Sequence, residues 1–210
     1  MSDRIIDAMI SMGRATAGET GRWLARAFHS LLLVLLCTTS VDAAELNSVA
    51  MPDTQDAAGT HLVLNGAALR TYSILRIHIY VAGLYLERRS TNADAIIDSS
   101  QTKLLRFVFI RHVDAEDARK SWRESLERNC RLPCHLSADS IDRFLAGVPS
   151  VENGDTSSLL FTAQEVDAFM NGQLIGRIRD TSFARVMLMT FIGPDPVSTA
   201  LKNGLLNAPQ

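Results

Sequence analysis

The sequence lacks the residue patterns that mark several large classes of enzymes and nucleotide-binding proteins. It contains no G-x-G-x-x-G, G-x-x-x-x-G-K-[ST], H-E-x-x-H or G-x-S-x-G motif; these are signatures of dinucleotide sites, P-loops, zinc proteases and serine hydrolases. It also lacks an excess of charge, because 21 Lys and Arg residues face 23 Asp and Glu residues. Nucleic-acid-binding domains usually have a basic surface, so we predict no nucleic-acid partner.

Side chains at metal-binding spacing are missing as well. The histidines beyond the N-terminal region are His61, His78, His112 and His135. They stand at none of the short spacings that metal ligands use, and no pair of carboxylates stands out from ordinary helix-surface acids. We therefore predict no metal site and no cofactor.

No hydrophobic run reaches the length of about 20 residues that spans a membrane. The segment Ser30–Cys37 (SLLLVLLC) follows several arginines and precedes small residues that end in V-D-A at 41–43. This order is typical of a secretory signal peptide. We predict a signal peptide over residues 1–43, a periplasmic or secreted protein, and no membrane span after cleavage; the alternatives are an uncleaved anchor or a buried helix. The start of translation stays open among Met1, Met9 and Met12.

Cysteine is scarce, with three residues in the chain, too few for a scaffold built from disulfides. Cys37 belongs to the predicted signal peptide, which leaves Cys130 and Cys134 in the sequence CRLPC. Two cysteines so close together in an exported protein favour a structural disulfide, which we predict here. The alternative is a redox-active pair, but the usual C-x-x-C spacing is absent.

Strand-like patterns fill the centre of the chain. Residues 44–60 are polar and without periodicity, which predicts a flexible lead-in. Residues 62–87 are rich in β-branched and aromatic residues, and their second half alternates apolar with polar side chains. That alternation predicts strands in a sheet with two different faces. Residues 103–110 and 157–162 predict further strands.

Helical periodicity follows these strands. The pattern predicts helices over 114–129, 137–147 and 181–192, and a last helix that starts at Asp195-Pro196. Strands in the centre and helices at the end predict an α+β fold with an antiparallel sheet.

Residues 162–177 are ambiguous. Thr162 and Glu165 form a possible capping box at the start of a helix, whereas Asn171-Gly172 is the strongest two-residue hairpin signal. From the residues alone, a helix and a β-hairpin with strands at 166–170 and 173–177 are equally possible.

Arg70 stands in an apolar, strand-like stretch directly after residues 66–69 (GAAL). A guanidinium does not lose its proton, so a buried one needs an anion or a set of acceptors. Tyr80 lies further along, and an unbroken strand would place both side chains on one face. Such a pair would suit a carboxylate or phenolate in an apolar cleft. The alternative is an arginine that pairs with an internal acid or extends into water.

The sequence LNGAALR at 64–70, followed by HIYVAGLYLE at 78–87, resembles the motif L-x-G-A-[GA]-[VL]-R and the Y-V-A-A-L-Y-L strand of the chalcone isomerase family. The resemblance implies an open-faced β-sandwich over residues 61–207, in which helices pack on one side of a large antiparallel sheet. It favours the hairpin at 166–177 and implies a ligand cleft between sheet and helices. Arg70 matches the family arginine that faces the substrate. Tyr80 matches a threonine of the plant enzyme, and fatty-acid-binding members carry arginine and tyrosine in these two roles.

The sequence departs from the family where the enzyme carries a tyrosine, a lysine and an asparagine. Ala115, Ala118 and Trp122 stand at those positions. Alanine can neither orient a water molecule nor polarise a ketone. This departure favours a non-enzymatic protein over an isomerase or intramolecular lyase acting on an unsaturated ketone.

We therefore predict an envelope protein that binds a fatty acid or similar amphipathic anion, with Arg70 and Tyr80 at the head group. Phe183, Met187 and Thr190 of the late helix are predicted to line the cleft, since methionine suits an adaptable apolar pocket. The alternatives are the isomerase and an interaction module whose cleft is vestigial. The sequence does not indicate an oligomeric state.

Overall fold

The centre of the fold is a seven-stranded antiparallel sheet. The computed structural model describes residues 43–72 and 75–207. The predicted signal peptide, Cys37 included, lies outside the described residues except for residue 43. The strands are β1 (Ala43–Leu46), β2 (Val49–Pro52), β3 (Thr54–Ala57), β4 (Thr60–Tyr72), β5 (Ile77–Leu86), β6 (Lys103–Phe109), β7 (Thr156–Phe161), β8 (Val166–Met170) and β9 (Gln173–Ile178). The helices are α1 (Ala93–Asp98), α2 (Ala115–Asn129), α3 (Ala138–Ala146), α4 (Thr181–Ile192) and α5 (Thr199–Leu205).

Strands β3 to β9 are neighbours in the sheet in their order along the chain, each antiparallel to the next. Strands β1 and β2 form a separate hairpin. One face of the sheet packs on the helices around Leu84, Leu105 and Phe191. The other face packs on the N-terminal hairpin around Met51 and Tyr85. The fold is therefore α+β with all the helices of its main core on one side of the sheet, as predicted.

The N-terminal segment differs from the flexible lead-in predicted for residues 44–60, because β1, β2 and β3 lie there. Met51 has no exposed surface and packs with Leu62 and Tyr85. Thr54 and Asp56 of β3 are exposed, since β3 is the edge strand of the sheet. Polar residues are normal in such a strand, and they hid it from an argument based on apolar periodicity.

The ambiguous segment 166–177 is a β-hairpin. Strands β8 and β9 pair across Asn171 and Gly172, whose φ angles are 49° and 79°. Two positive φ values are what a two-residue hairpin turn of type I′ requires. The Asn-Gly signal therefore prevails over the capping box.

The helix boundaries agree with the sequence for α2, α3 and α4 but not for the last helix. It begins at Thr199, and the Ser198 hydroxyl caps it by accepting a hydrogen bond from the Leu201 backbone N–H at 3.3 Å. The start predicted at Asp195-Pro196 is wrong, because the Asp195 carboxylate binds Arg131 at 2.6 Å instead. Helix α1 had no counterpart in the sequence prediction.

Candidate ligand-binding site

A β-bulge in β4 determines which face of the sheet Arg70 occupies. Leu62 and Leu64 pack on the hairpin-covered face. Between Leu64 and Gly66 the register with β5 shifts by one residue, so that Asn65 has no partner strand residue. Side chains two apart share a face in a regular strand, but beyond the bulge Ala68 faces the helices instead. Arg70 follows Ala68 by two positions and therefore lies on the helix-facing side.

The bulge is held by the side chain of Asn65, which is 4% exposed. Its Nδ2 donates to the Leu205 carbonyl oxygen in α5, and its Oδ1 accepts from the Ser90 backbone N–H, both at 2.8 Å. A buried amide with its oxygen and nitrogen both engaged keeps the strand in one register.

Arg70 and Tyr80 are direct partners across β4 and β5. A second register shift follows at once, between Arg70 and Thr71. The two side chains thus share the helix-facing side, but as neighbours on adjacent strands and not along one unbroken strand. Directly opposed residues have Cβ atoms about 5 Å apart, which lets the guanidinium and the phenol meet.

The phenol of Tyr80 is held in its neutral form. Its ring lies edge-on to Phe107 and Phe109, with centroids 5.3 and 5.7 Å away. Burial raises the pKa of Tyr80 to about 12, although the charge of Arg70 and its hydrogen bond to the phenol act in the opposite direction. Tyr80 therefore remains a hydrogen-bond donor at any physiological pH.

Arg70 makes few interactions of its own. Its Nη1 donates to the Thr71 carbonyl oxygen. Among the residues that the structure describes, no carboxylate forms an ion pair with it. Pairing with an internal acid, one alternative for this arginine, is thus absent from the described part of the chain. The guanidinium is available to an external anion.

The three residues predicted on the late helix lie on the buried side of α4. Phe183, Met187 and Thr190 have no exposed surface. The Thr190 hydroxyl donates to the Met187 carbonyl oxygen at 2.8 Å, so its only proton is already used. Within the described residues no hydrogen bond or ring contact joins these side chains to Arg70 or Tyr80. The structure therefore places them in the core between α4 and the sheet.

Aromatic side chains connect Tyr80 to the helical layer. Phe107 contacts Phe191 of α4 at 5.3 Å between ring centroids, and Phe191 contacts Trp122 of α2 at 5.6 Å. Phe107, Phe109 and Phe191 were not among the site residues predicted from the sequence. The alternation of Phe107 and Phe109 in the predicted strand 103–110 was the signal that would have placed both on one face.

Cavities of about 900 and 420 Å³ lie in the described part of the chain. The larger lies among the end of α2, the disulfide loop and α4, and the smaller lies between α3 and β9. Arg70 and Tyr80 line neither of them. The predicted disulfide between Cys130 and Cys134 is present and borders the larger cavity.

A family model described as chalcone isomerase-like matches residues 43–207. The chain belongs to the chalcone isomerase-like family. The fold agrees: a fatty-acid binding protein of Arabidopsis thaliana superimposes with a TM-score of 0.67, at 15% identity, over 79% of this chain and 96% of that chain. No curated protein sequence matches this chain. The resemblance and the open-faced sandwich inferred from the sequence are thereby confirmed.

The chalcone isomerase-like core carries the three departures from the enzyme on one stripe of α2. Ala115, Ala118 and Trp122 are all half-buried. Ala118 and Trp122 pack against the main core, and the Trp122 ring meets Phe144 at 5.0 Å. This stripe presents no ionisable group to the sheet.

No group of three or more His, Cys, Asp or Glu side chains in the described part of the chain could hold a metal ion. None of the helices in the same residues is long and apolar enough to cross a membrane.

Proposed function

We propose that this chalcone isomerase-like protein is a non-enzymatic binding protein for a fatty acid or a similar amphipathic anion. The observation that carries the proposal is the cross-strand pair of Arg70 and Tyr80 on the helix-facing side of the sheet. The pair offers a permanent positive charge next to a neutral phenol, and both can donate to one carboxylate. The structural neighbour from Arabidopsis thaliana, a fatty-acid binding protein, supports the same ligand class.

The carboxylate of the ligand would accept hydrogen bonds from the Arg70 guanidinium and the Tyr80 hydroxyl. Its alkyl chain would lie along Phe107 and Phe191, whose ring centroids are 5.3 Å apart. These rings must separate to admit the chain, and apolar contact with them would compensate for the lost ring contact. The stripe of Ala115 and Ala118 favours binding without reaction, because it supplies no acid or base.

We place this function outside the cytoplasm, in the periplasm or beyond the cell. The signal-like segment Ser30–Cys37 supports this location. The disulfide between Cys130 and Cys134 supports it too, since disulfides persist in oxidising compartments.

The test compares Arg70→Gln with Arg88→Gln, a matched change at an exposed arginine beyond the end of β5. Calorimetric titration with decanoate should show wild-type binding, unchanged binding in Arg88→Gln, and affinity reduced about 10- to 100-fold in Arg70→Gln, the typical value of a charge-assisted hydrogen bond. Tyr80→Phe should weaken binding by about tenfold. Thermal unfolding by circular dichroism checks that all variants fold.

Three results would overturn the proposal. The first is a wild-type protein that does not bind decanoate, and the second is an Arg70→Gln variant that binds as well as Arg88→Gln. The third is turnover of a chalcone that is lost in Tyr80→Phe, which would make the protein an isomerase.

A further inference from the structure

The larger cavity, of about 900 Å³, is separate from the Arg70–Tyr80 pair. Its lining includes Ser182, Arg185 and Met189 of α4, whereas Phe183, Met187 and Phe191 of the same helix face the core. Cavities of roughly 300–1,000 Å³ are the usual size for small-molecule sites. The two sides of α4 thus border two different environments.

Basic side chains dominate the polar lining of this cavity. Arg128, Arg131 and Arg185 line it together with one carboxylate, Asp195. Arg131 pairs with Asp195 at 2.6 Å, and Arg185 pairs with Asp98, which lies outside the lining. Arg128 has no carboxylate partner in the described part of the chain and donates only to the Ser125 hydroxyl, at 3.2 Å. Arg128 can therefore form an ion pair with an anion bound in the cavity.

A buried acceptor is the second polar feature of the lining. Asn129 is 7% exposed, and its Nδ2 donates to the carbonyl oxygens of Ser125 at 2.9 Å and Asp195 at 3.0 Å. Its Oδ1 is buried and has no partner among the described residues. Because both amide protons are in use, a flip of the amide would lose both of these bonds. The buried Oδ1 therefore lacks a donor, and a ligand hydroxyl that reaches it through a local movement of the cavity lining would supply one.

The rest of the lining is largely apolar. Val186 and Met189 come from α4, Pro133 from the loop closed by the disulfide, and Pro194 from the segment after α4. Such a surface suits an alkyl group, which gains free energy in proportion to the area removed from water.

We propose that this cavity binds an anionic amphiphile that carries a hydroxyl group, such as a hydroxylated fatty acid. The carboxylate binds Arg128, the hydroxyl donates to the Asn129 Oδ1, and the alkyl chain lies on Val186 and Met189. This site does not depend on the proposed role of Arg70. Its ligand class follows from the unpaired cation, the unpaired acceptor and the apolar wall together.

The experiment uses the Arg70→Gln protein as background, so that the two sites are measured separately. Calorimetric titration with 3-hydroxydecanoate should show binding that a further Arg128→Gln change weakens at least tenfold. The matched control is Arg123→Gln on the same helix, where Arg123 pairs with Asp142 at 2.7 Å and lies outside the cavity lining. This control should leave the affinity unchanged.

Two further measurements locate the ligand and its hydroxyl group. Amide chemical shifts should move in residues 128–135 and 182–195, and decanoate should bind at least fivefold more weakly than 3-hydroxydecanoate. The proposal is overturned by equal affinities of the two acids, by equal affinities of Arg128→Gln and Arg123→Gln, or by shifts confined to β4 and β5. Failure of the Arg70 proposal would instead appear as identical decanoate binding in wild type and Arg70→Gln.

Discussion

The two faces of the sheet each carry an arginine and a tyrosine, but in different surroundings. On the helix-facing side, Arg70 and Tyr80 are cross-strand partners, and the charge of Arg70 acts on the Tyr80 phenol. On the hairpin-covered side, Tyr85 donates to the sulfur of Met51 at 3.9 Å, and Arg106 is half-buried. Burial raises the pKa of both tyrosines to about 12.

The two arginine–tyrosine pairs differ in the side chains that surround them. Arg106 reaches Gln55 of β3 at 3.5 Å, and its Nε is buried without a partner among the described residues. Met51 and Gln55, both from the N-terminal strands, thus occupy the space that a ligand would need on the hairpin side. On the helix side, the neighbours of the Tyr80 ring are the rings of Phe107 and Phe109, which offer no hydrogen-bond acceptor like Gln55. Identical residue types therefore form part of a closed core on one face and a candidate head-group site on the other.

Alanine substitutions at one glycine on each face would give the largest contrast. A Cβ at Gly66 would collide with the Gly204 carbonyl oxygen and lie 2.7 Å from that of Leu205, both backbone atoms of α5. A Cβ at Gly83 would meet only side-chain atoms, such as Tyr85 Cε2 at 3.1 Å and Met51 Sδ at 3.3 Å. Overpacking against rigid atoms costs more than against mobile ones, so we expect Gly66→Ala to lose about 3 kcal/mol and Gly83→Ala about 1 kcal/mol.

Urea unfolding of both variants measures these losses of free energy. Equal losses would mean that α5 adjusts as readily as the hairpin side chains do. The helix side would then be no more rigid than the other face.

Alkaline pH should lower the free energy of unfolding through the tyrosine on each face, by a smaller amount than the Gly66→Ala substitution. An unfolded tyrosine ionises near pH 10, whereas Tyr80 and Tyr85 ionise at a pKa of about 12 in the folded protein. Both pKa values are raised by folding, so the stabilisation is complete below about pH 10 and is lost as the pH rises towards 12. The free energy of unfolding should decrease from about pH 9 to about pH 11, and this decrease should be smaller in Tyr80→Phe and in Tyr85→Phe than in wild type.

The variant Met51→Ala distinguishes the two tyrosines in an alkaline pH titration. It admits water beside Tyr85 and should lower the pKa of that phenol alone, as followed by tyrosinate absorbance. A shift of both tyrosines would show that the two faces are not independent.

Replacement of Arg106 by methionine should have the smallest effect. The change removes a half-buried charge with an unpaired Nε and keeps an unbranched apolar chain. Such replacements are often neutral or stabilising, so we expect the unfolding free energy to change by no more than about 1 kcal/mol. Decanoate binding should equal that of wild type. A loss of about 3 kcal/mol would instead identify Arg106 as a structural charge whose partners depend on it.

The sequence predicted elements whose signals are local. Asn171-Gly172 specifies its hairpin through two positive φ angles, and Ser137 caps α3 by accepting from the Ser140 backbone N–H at 3.0 Å. Asp114 precedes α2 as predicted, although its carboxylate makes no capping bond and lies 3.2 Å from His112 instead. A boundary can thus be predicted correctly while its side-chain interaction is not.

Elements that depend on distant contacts were missed. Strands β1 and β2 cover one face of the sheet and β3 pairs at its edge, and the few apolar residues of this segment, such as Leu46, Val49 and Met51, show no strand periodicity. Thr190 was predicted to line the cleft, but it is fully buried and its hydroxyl donates to the Met187 carbonyl oxygen of the same helix. Arg70 and Tyr80 do share a face, but as neighbours on two strands and not along the unbroken strand from which this was predicted.

The bulge at Asn65 makes β4 one residue longer than the part of β5 with which it pairs. Leu64 and Gly66 pair with Tyr85 and Leu84, which are consecutive, so deletion of Asn65 would leave Gly66 to Arg70 on their present faces. If Asn65 instead paired in the ladder, alternation would continue through it, and Arg70 would turn towards the N-terminal hairpin, away from Tyr80. The face that Arg70 occupies therefore depends on Asn65 staying out of the ladder, and the site would be lost without any change in the residues from Gly66 to Arg70.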